Sequence, residues 1–586
     1  MCGILGLVTL GNSQETKEKF LNTLSLLAHR GPDFDSFVQD ENIFLGHTRL
    51  SIIDLDARSN QPMCYQDKYM LVFNGEIYNY KEIRQELQAQ GYHFKTQGDA
   101  EVLLCAYDFW GKKCVEHFNG MWAFAIYDKL QNILFCSRDR FGEKPFFYFK
   151  DKEKFIFASE IKAILPFLGT RKANIPAMIP FIVRGNIDCY HNETFFKDIY
   201  RLQPSENMVV DLTDLTLRKQ VYYRIKPQEI NLENPQQILR ELLEDSIRLR
   251  LRSDVRIGSC LSGGLDSSCI NALITKNQSN KENFIAIHAK STLKDNDESE
   301  YAKRVAESLG IELCIVEPSK QDFWDSLEQV MLIQDEPFGS TSIYMQYFVM
   351  QKAHELGIKV MFDGQGADEV FLGYENYIKH IYKDLRDKGK SENFFENLKA
   401  FRYTKENILE GLMGLENFTI AFERIVKQSN IVDRYLSKGD MQFLFDYQDF
   451  FTFNTQEIMC NSLQALLRFE DRDSMAFGVE ARLPYLDSRI VDFVLNLPTE
   501  AKFQEGYLKY LLRTACEDLL PRDIIWRYNK MGFESPQTYW FDGEQERMKA
   551  TIRNSKIIQE IFTKTDIELW RLFSIAKWEE LYKVEL

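Results

Sequence analysis

Apolar and polar positions alternate in short runs over the first part of the chain. MCGILGLVTLGN opens it and predicts a buried strand, and further β-prone runs lie at Ile43–Leu45, Tyr69–Phe73, Met121–Tyr127, Ile133–Cys136, Pro145–Phe149 and Lys154–Ala158. Two helical patterns interrupt them, near Glu15–Ala28 and Tyr80–Gln90. Many short strands with few helices predict an α+β layered domain. A polar stretch, Lys226–Asn234, ends in Asn234-Pro235 and reads as a linker followed by a helix start. From Gln236 the apolar spacing turns helical (Ile238, Leu239, Leu242, Leu243, Ile247). Strand candidates at Val255–Leu261, Phe284–Ala289, Leu313–Val316 and Lys359–Phe362 then alternate with helices, the pattern of a covered parallel sheet. Beyond about Asn376 the pattern is mostly helical. The expected organisation is therefore a first domain over 1–210, a linker over 211–234 and a second domain over 235–586.

At 586 residues the chain is too long for one hydrophobic core, which agrees with two domains. A net charge of −15 argues against a general nucleic-acid binder, because phosphate contacts need a basic face. No apolar run approaches the roughly 20 residues of a membrane span, and the first residues lack the basic leader and cleavage pattern of a signal peptide. Eleven cysteines, an odd number without CxxC pairs or metal-ligand spacing, predict reduced thiols in a cytoplasmic protein and no zinc site.

One cysteine is different. Cys2 becomes the first residue if Met1 is removed, and it then joins a thiol to an α-amine of pKa about 7.7–8.0 that can activate it. Position 2 alone says little. The ordered segments that follow say more: His29-Arg30-Gly31-Pro32-Asp33, Arg49-Leu50-Ser51-Ile52-Ile53-Asp54, Asn74-Gly75-Glu76-Ile77-Tyr78-Asn79 and Gly98-Asp99-Ala100-Glu101. With them the first domain resembles the class II glutamine amidotransferases, which implies an N-terminal-nucleophile fold of layered αββα type. The resemblance implies that Cys2 attacks the glutamine side-chain amide and that Asn74 and the Gly75 N–H form an oxyanion hole. It places Arg49, with Ile52 and Ile53, at the substrate α-carboxylate, and Glu76 and Asp99 at its α-ammonium.

In the second domain, Leu261-Ser262-Gly263-Gly264-Leu265-Asp266-Ser267-Ser268 follows a strand candidate and precedes a helical run. Paired glycines admit a ligand close to the backbone, and amides at a helix start bind anions. The GK[ST] ending of a Walker loop is missing. The segment resembles the PP-loop of ATP pyrophosphatases, which implies ATP against Leu261, Ser262, Gly263, Gly264, Asp266, Ser267, Ile287, Asp363 and Gly364. It also implies Mg²⁺ on Asp266 and Asp368, carboxylates suited to a hard cation. Gly478-Val479-Glu480-Ala481-Arg482-Leu483-Pro484-Tyr485-Leu486-Asp487 and Lys509-Tyr510-Leu511-Leu512-Arg513 extend the likeness to the glutamine-hydrolysing asparagine synthetase family across nearly the whole chain. Lys509 matches that family's lysine, which implies charge stabilisation during adenylation, and the family likeness implies a homodimer.

The likeness departs at Asp363-Gly364-Gln365-Gly366, where that family reads SGEG. Gln365 stands for a glutamate assigned to the acyl-adenylate and the incoming ammonia, and an amide cannot take a proton as a base. Three readings stay open. The chain makes asparagine from aspartate, or it amidates another carboxylate such as a hexuronic acid of a polysaccharide or a peptide side chain. In the third reading it is a regulatory protein with a degenerate synthetase half, against which the intact loop, Asp368 and Lys509 count. A β-lactam-forming relative is disfavoured by the presence of Cys2. Because free ammonia is lost or protonated in water, an internal passage between the two sites is expected.

Overall fold

The computed structural model describes residues 2–10, 14–184, 192–230, 232–277, 284–400, 404–416, 449–529, 534–561 and 569–586. In the first half these form strands β1 (Cys2–Thr9), β2 (Phe34–Asp40), β3 (Ile43–Arg49), β4 (Met63–Tyr65), β5 (Tyr69–Ile77) and β6 (Gly120–Asp128). They continue as β7 (Ile133–Arg138), β8 (Phe147–Lys150), β9 (Lys154–Ala158), β10 (Ile199–Arg201), β11 (Glu206–Asp211) and β12 (Leu217–Val221). Two antiparallel sheets result, ordered β10-β8-β9-β1-β3-β2 and β12-β11-β7-β6-β5-β4.

Period-two alternation explains how they stack. On β5, Met70 and Val72 join Ile4 and Val8 of β1 in the core between the sheets, while Leu71 and Phe73 face the opposite way. Gly6 of β1 makes room for the ring of Phe157, its register partner on β9, since a Cβ there would sit 1.9 Å from that ring. The outer face of the first sheet is covered by Phe20 and Leu24 of the helix Gln14–Leu24 and by the C-terminal helix Leu569–Tyr582. The outer face of the second is covered by helices Tyr80–Ala89 and Asp99–Trp110. This is the expected αββα layering.

Two elements of this half differ from expectation. The segment 211–234, expected as linker, contributes β12, whose residues 217–221 pair with β11 and extend the second sheet to Val221. Leu217-Arg-Lys-Gln-Val221 is an edge strand with three of its five residues charged or amide-bearing and exposed, so it carries little apolar pattern. The helix Asp99–Trp110 is buried on every side from Asp99 to Tyr107 and lacks the polar face that marks a surface helix.

In the second half, β13 (Ile257–Cys260), β14 (Ile285–Ala289), β15 (Glu312–Val316), β16 (Val360–Phe362) and β17 (Glu480–Arg482) form one parallel sheet, ordered β15-β14-β13-β16-β17. The helix Pro235–Arg250 starts at Asn234-Pro235 as expected. Strand β17 interrupts the part expected to be helical. Among the described residues no helix is long and apolar enough to cross a membrane.

Candidate active site

Cys2 begins β1 and lies in register with Arg49 of β3. Its backbone N–H donates to Asn74 Oδ1 at 3.0 Å, and burial pushes its thiol up from the ordinary range. Asn74 is fully buried on β5, and its Nδ2 has no hydrogen-bond partner. A buried amide donor left unmade is costly, so this one is held ready for an acceptor. Gly75 follows with φ +152°, and a Cβ there would lie 2.1 Å from the Met121 carbonyl, so only glycine serves. The Arg49 guanidinium is fixed by the loop beyond it, donating to Asp56 O (3.0 Å), Asn60 Oδ1 (2.6 Å) and Asp54 O. Ile52 and Ile53 are buried on that loop.

Glu76 and Asp99 are both buried and act on each other electrostatically. Asp99 Oδ2 accepts from the Ile77 N–H at 2.9 Å, and burial raises its carboxyl to about 6. Glu76 is pushed well up by burial and by the charges of Glu480 and Asp99, and its Oε2 has no hydrogen-bond partner. Glu480 belongs to β17 of the other half and pairs with Arg482 at 2.6 Å. Sequence reasoning gave the GVEAR segment no part in the thiol site; its only signal was two opposite charges two residues apart in an apolar context.

A second link was also missed. Arg30 Nε donates to the Cys2 carbonyl at 3.1 Å, while its Nη atoms reach Glu160 (2.9 Å) and both oxygens of Asp471 (2.8 and 3.1 Å). Arg472 then joins Glu160 (2.9 Å) to Asp335 (3.0 Å). Asp471 and Arg472 lie on the helix Ser462–Met475, so one buried charge network ties the thiol strand to the second half. A small cavity of about 30 Å³ beside it touches Gly142, Gln464, Leu467 and Asp471.

The loop after β13 forms the wall of a cavity of about 290 Å³, which Leu261, Ser262, Gly264, Asp266, Ser267, Ile287, Asp363, Gly364, Gln365 and Asp368 all touch. Gly263 is the exception among the expected nucleotide residues. Its φ is +80° and a Cβ would meet the Ala302 nitrogen at 2.5 Å, so it serves the turn rather than the wall. The Gly264 N–H donates to Ser262 Oγ at 3.2 Å, and Ser262 and Ser267 hydroxyls are 3.0 Å apart. Lys509 precedes the helix Tyr510–Ala515 and places its Nζ 2.6 Å from Asp368 and 2.6–2.7 Å from both oxygens of Asp266. Gly373 makes room for it. On the far side of Lys509 a second cavity of about 260 Å³ touches Lys399, Arg513 and Arg527.

Asp363 meets a partner the sequence did not suggest. Its carboxyl lies within hydrogen-bond reach of Glu470, and Gln346 Nε2 donates to both, at 3.2 Å to Asp363. Burial pushes both carboxyls up, Glu470 well up; Asp363 adds to the rise of Glu470, while the hydrogen bond with Glu470 holds Asp363 down.

A buried thiol in the first half, a Ser/Gly loop lining a cavity in the second, and a charge network that ties the thiol strand to the second half agree with what the chain is similar to. A family model described as a glutamine amidotransferase domain matches residues 1–223. A second, described as asparagine synthase, matches residues 238–576, more than half of the 586. The chain belongs to the asparagine synthase family. In this family the first relative is asparagine synthetase [glutamine-hydrolyzing] 1 of Bacillus subtilis, 30% identical over 99% of this chain and 93% of its own length. A putative asparagine synthetase [glutamine-hydrolyzing] 2 of Methanocaldococcus jannaschii is 34% identical over 66% of this chain and 78% of its own. The amidase chyE of Penicillium rubens is 26% identical over 93% and 88% respectively. As an asparagine synthase family member with both domains, the chain is a glutamine-dependent, ATP-driven amidating enzyme.

Proposed function

We propose that the chain converts aspartate, glutamine, ATP and water into asparagine, glutamate, AMP and pyrophosphate, the water hydrolysing the glutamyl thioester. The observation that supports this most is the pairing, in one chain, of a buried thiol beside an unsatisfied amide donor with a separate nucleotide-sized cavity behind the Ser262–Ser268 loop. Relatives named asparagine synthetase along nearly the whole length favour aspartate as the acceptor.

In this reading the Cys2 thiol attacks the glutamine amide, the α-amine taking its proton, and a glutamyl thioester forms as ammonia leaves. Asn74 Nδ2 and the Gly75 N–H hold the oxyanion, where one such donor is worth about 2.7–4 kcal/mol. Arg49 binds the α-carboxylate as a fork, with Ile52 and Ile53 as the apolar wall. The α-ammonium answers the acids Glu76 and Asp99, whose raised pKa values mark a buried place short of positive charge, while the nearby Glu480 is held down by Arg482.

In the second site the loop amides and the hydroxyls of Ser262 and Ser267 hold phosphate oxygens, and Ile287 packs on the adenine. Aspartate attacks the α-phosphorus, pyrophosphate leaves towards the cavity with Lys399, Arg513 and Arg527, and ammonia then displaces AMP from the acyl-adenylate. Asp266 and Asp368 fit Mg²⁺, since both turn oxygens onto one cationic position, the Lys509 ammonium. The ion would supply charge neutralisation on the phosphates. Lys509 supports the same charge at the moment of transfer.

A second reading, amidation of another carboxylate, is favoured by Asp363 and Gln365 in place of the family's serine and glutamate and by the relative named an amidase. Pyrophosphate release with glutamine, MgATP and a panel of carboxylates separates the two. Turnover with aspartate supports the first; silence with aspartate and turnover with a uronate or a peptide carboxylate overturns it in favour of the second.

A further inference from the structure

Displacement of AMP by ammonia liberates a proton, and the cavity must hold a group to receive it. Gln365 cannot, because a carboxamide is not basic. The other carboxylates and the imidazole around the cavity are already committed. Asp266 and Asp368 are bound to Lys509, Glu298 is paired with Arg527 at 2.7 Å, and the two ring nitrogens of His288 face the Leu261 carbonyl (2.9 Å) and Ser299 Oγ (3.3 Å). Asp363 remains. It lies on the cavity wall at the end of β16, with Oδ1 accepting from the Gly364 N–H at 2.5 Å and Oδ2 from Gln346.

Behind it Glu470 is buried, 2% exposed, and its Oε1 has no donor. Its Oε2 accepts from the same Gln346 amide that serves Asp363. Two carboxylates within hydrogen-bond reach of each other inside a protein do not both ionise. The groups that act on the pair are the Cys260 thiol of β13, Asp266 at the start of the helix Leu265–Asn277, and Asp473 on the helix of Glu470 itself. None of them neutralises it.

We propose that Asp363 and Glu470 carry one proton between them and that Asp363, through this singly charged pair, accepts the proton released in the amide-forming step. The proposal rests on the amidation reading. As nitrogen bonds to the acyl carbon, the C–O bond to AMP breaks and its electron pair leaves with AMP. The N–H proton passes to the Asp363 carboxylate, leaving the pair neutral until it returns a proton to water as product departs. Asp363 is the catalytic residue of the two; Glu470 is a positioning residue that tunes it.

The test compares two reactions of the full-length enzyme with ammonia as nitrogen donor. ATP–pyrophosphate exchange, dependent on the carboxylate substrate, reports adenylation, and amide release reports the second step. In Asp363→Asn the ratio of amide release to exchange should fall about 10²-fold or more, the usual contribution of general-base catalysis. In Glu470→Gln, Asp363 exchanges the carboxyl hydrogen bond that holds it down for a weaker amide donor, so the acidic limb of the amide-release profile should move to higher pH. Glutaminase activity at Cys2 checks that both variants are folded. Parallel loss of exchange and amide release in Asp363→Asn, or an unmoved limb in Glu470→Gln, overturns the proposal. Absence of carboxylate-dependent exchange in the unaltered enzyme overturns the amidation reading itself, and the proposal with it.

Discussion

Gly373→Ala should disconnect the two activities. A Cβ at this position would lie 1.8 Å from Lys509 Cε, 2.6 Å from its Nζ and 2.0 Å from Asp368 Oδ1. Carbon atoms settle about 3.5 Å apart or more, so the overlap with Cε is roughly 1.7 Å and the lysine end must withdraw. The lysine is a flexible side chain, and such overpacking costs folding only about 1–3 kcal/mol. The catalytic cost is larger. Lys509 leaves Asp266 and Asp368, and removing a positioned donor from a charge-developing site costs about 10²–10³ in rate. Glutamate release from glutamine, dependent on the distant Cys2, and ammonia-driven pyrophosphate release can be followed in one preparation. Pyrophosphate release should fall by about 10²–10³ while glutamate release persists. Pyrophosphate release at the unaltered rate would refute the role given to Lys509. Loss of both with unchanged thermal unfolding would refute the independence of the two sites.

Other outcomes follow from the same geometry. Cys2→Ala should abolish glutamine-dependent synthesis and spare ammonia-dependent synthesis; normal use of glutamine by the variant would exclude the thiol. The Asp99 carboxyl, raised by burial to about 6, is ionised only above that value, and the α-ammonium needs the ionised form. KM for glutamine should therefore rise as pH falls through about 6, and a KM level on both sides of it would remove Asp99 from the substrate site. Asp471→Asn leaves the buried Lys144 charge without its carboxylate and Arg30 with Glu160 alone, and should destabilise the protein by about 3–5 kcal/mol, read as a lower urea midpoint. Asp471 is held below the usual carboxylate range, so its contribution is present at neutral pH and fades as acid protonates it. A variant as stable as the parent would mean that Glu160 alone satisfies Arg30.

The sequence carried the strands that alternate or run apolar, because burial on one or both faces writes itself into hydropathy. β1, β5, β6 and β14 are of this kind. It failed where burial and polarity part company. β12 is an edge strand that is largely exposed, and β17 is three residues long with Glu480 and Arg482 buried as a pair. The run Glu470-Asp471-Arg472-Asp473 looks like a solvated helix face, yet all four are buried, each matched to a charge or amide distant in the chain. Such matching depends on tertiary placement and leaves no local periodicity. For the same reason Asn74, Asp266 and Lys509 were picked out through motifs, while Glu470 and Gln346, and the partners of Arg30 in its motif, needed the fold.

The central claim is that the side-chain nitrogen of glutamine passes to a carboxylate activated by AMP. One product analysis tests it most directly: glutamine labelled with ¹⁵N in its side-chain amide, MgATP and aspartate, with every product identified. The account predicts label in the amide of asparagine, with glutamate, AMP and pyrophosphate formed in equal amounts. ADP and phosphate in place of AMP and pyrophosphate, or label recovered only as free ammonia with every carboxylate offered, would contradict it.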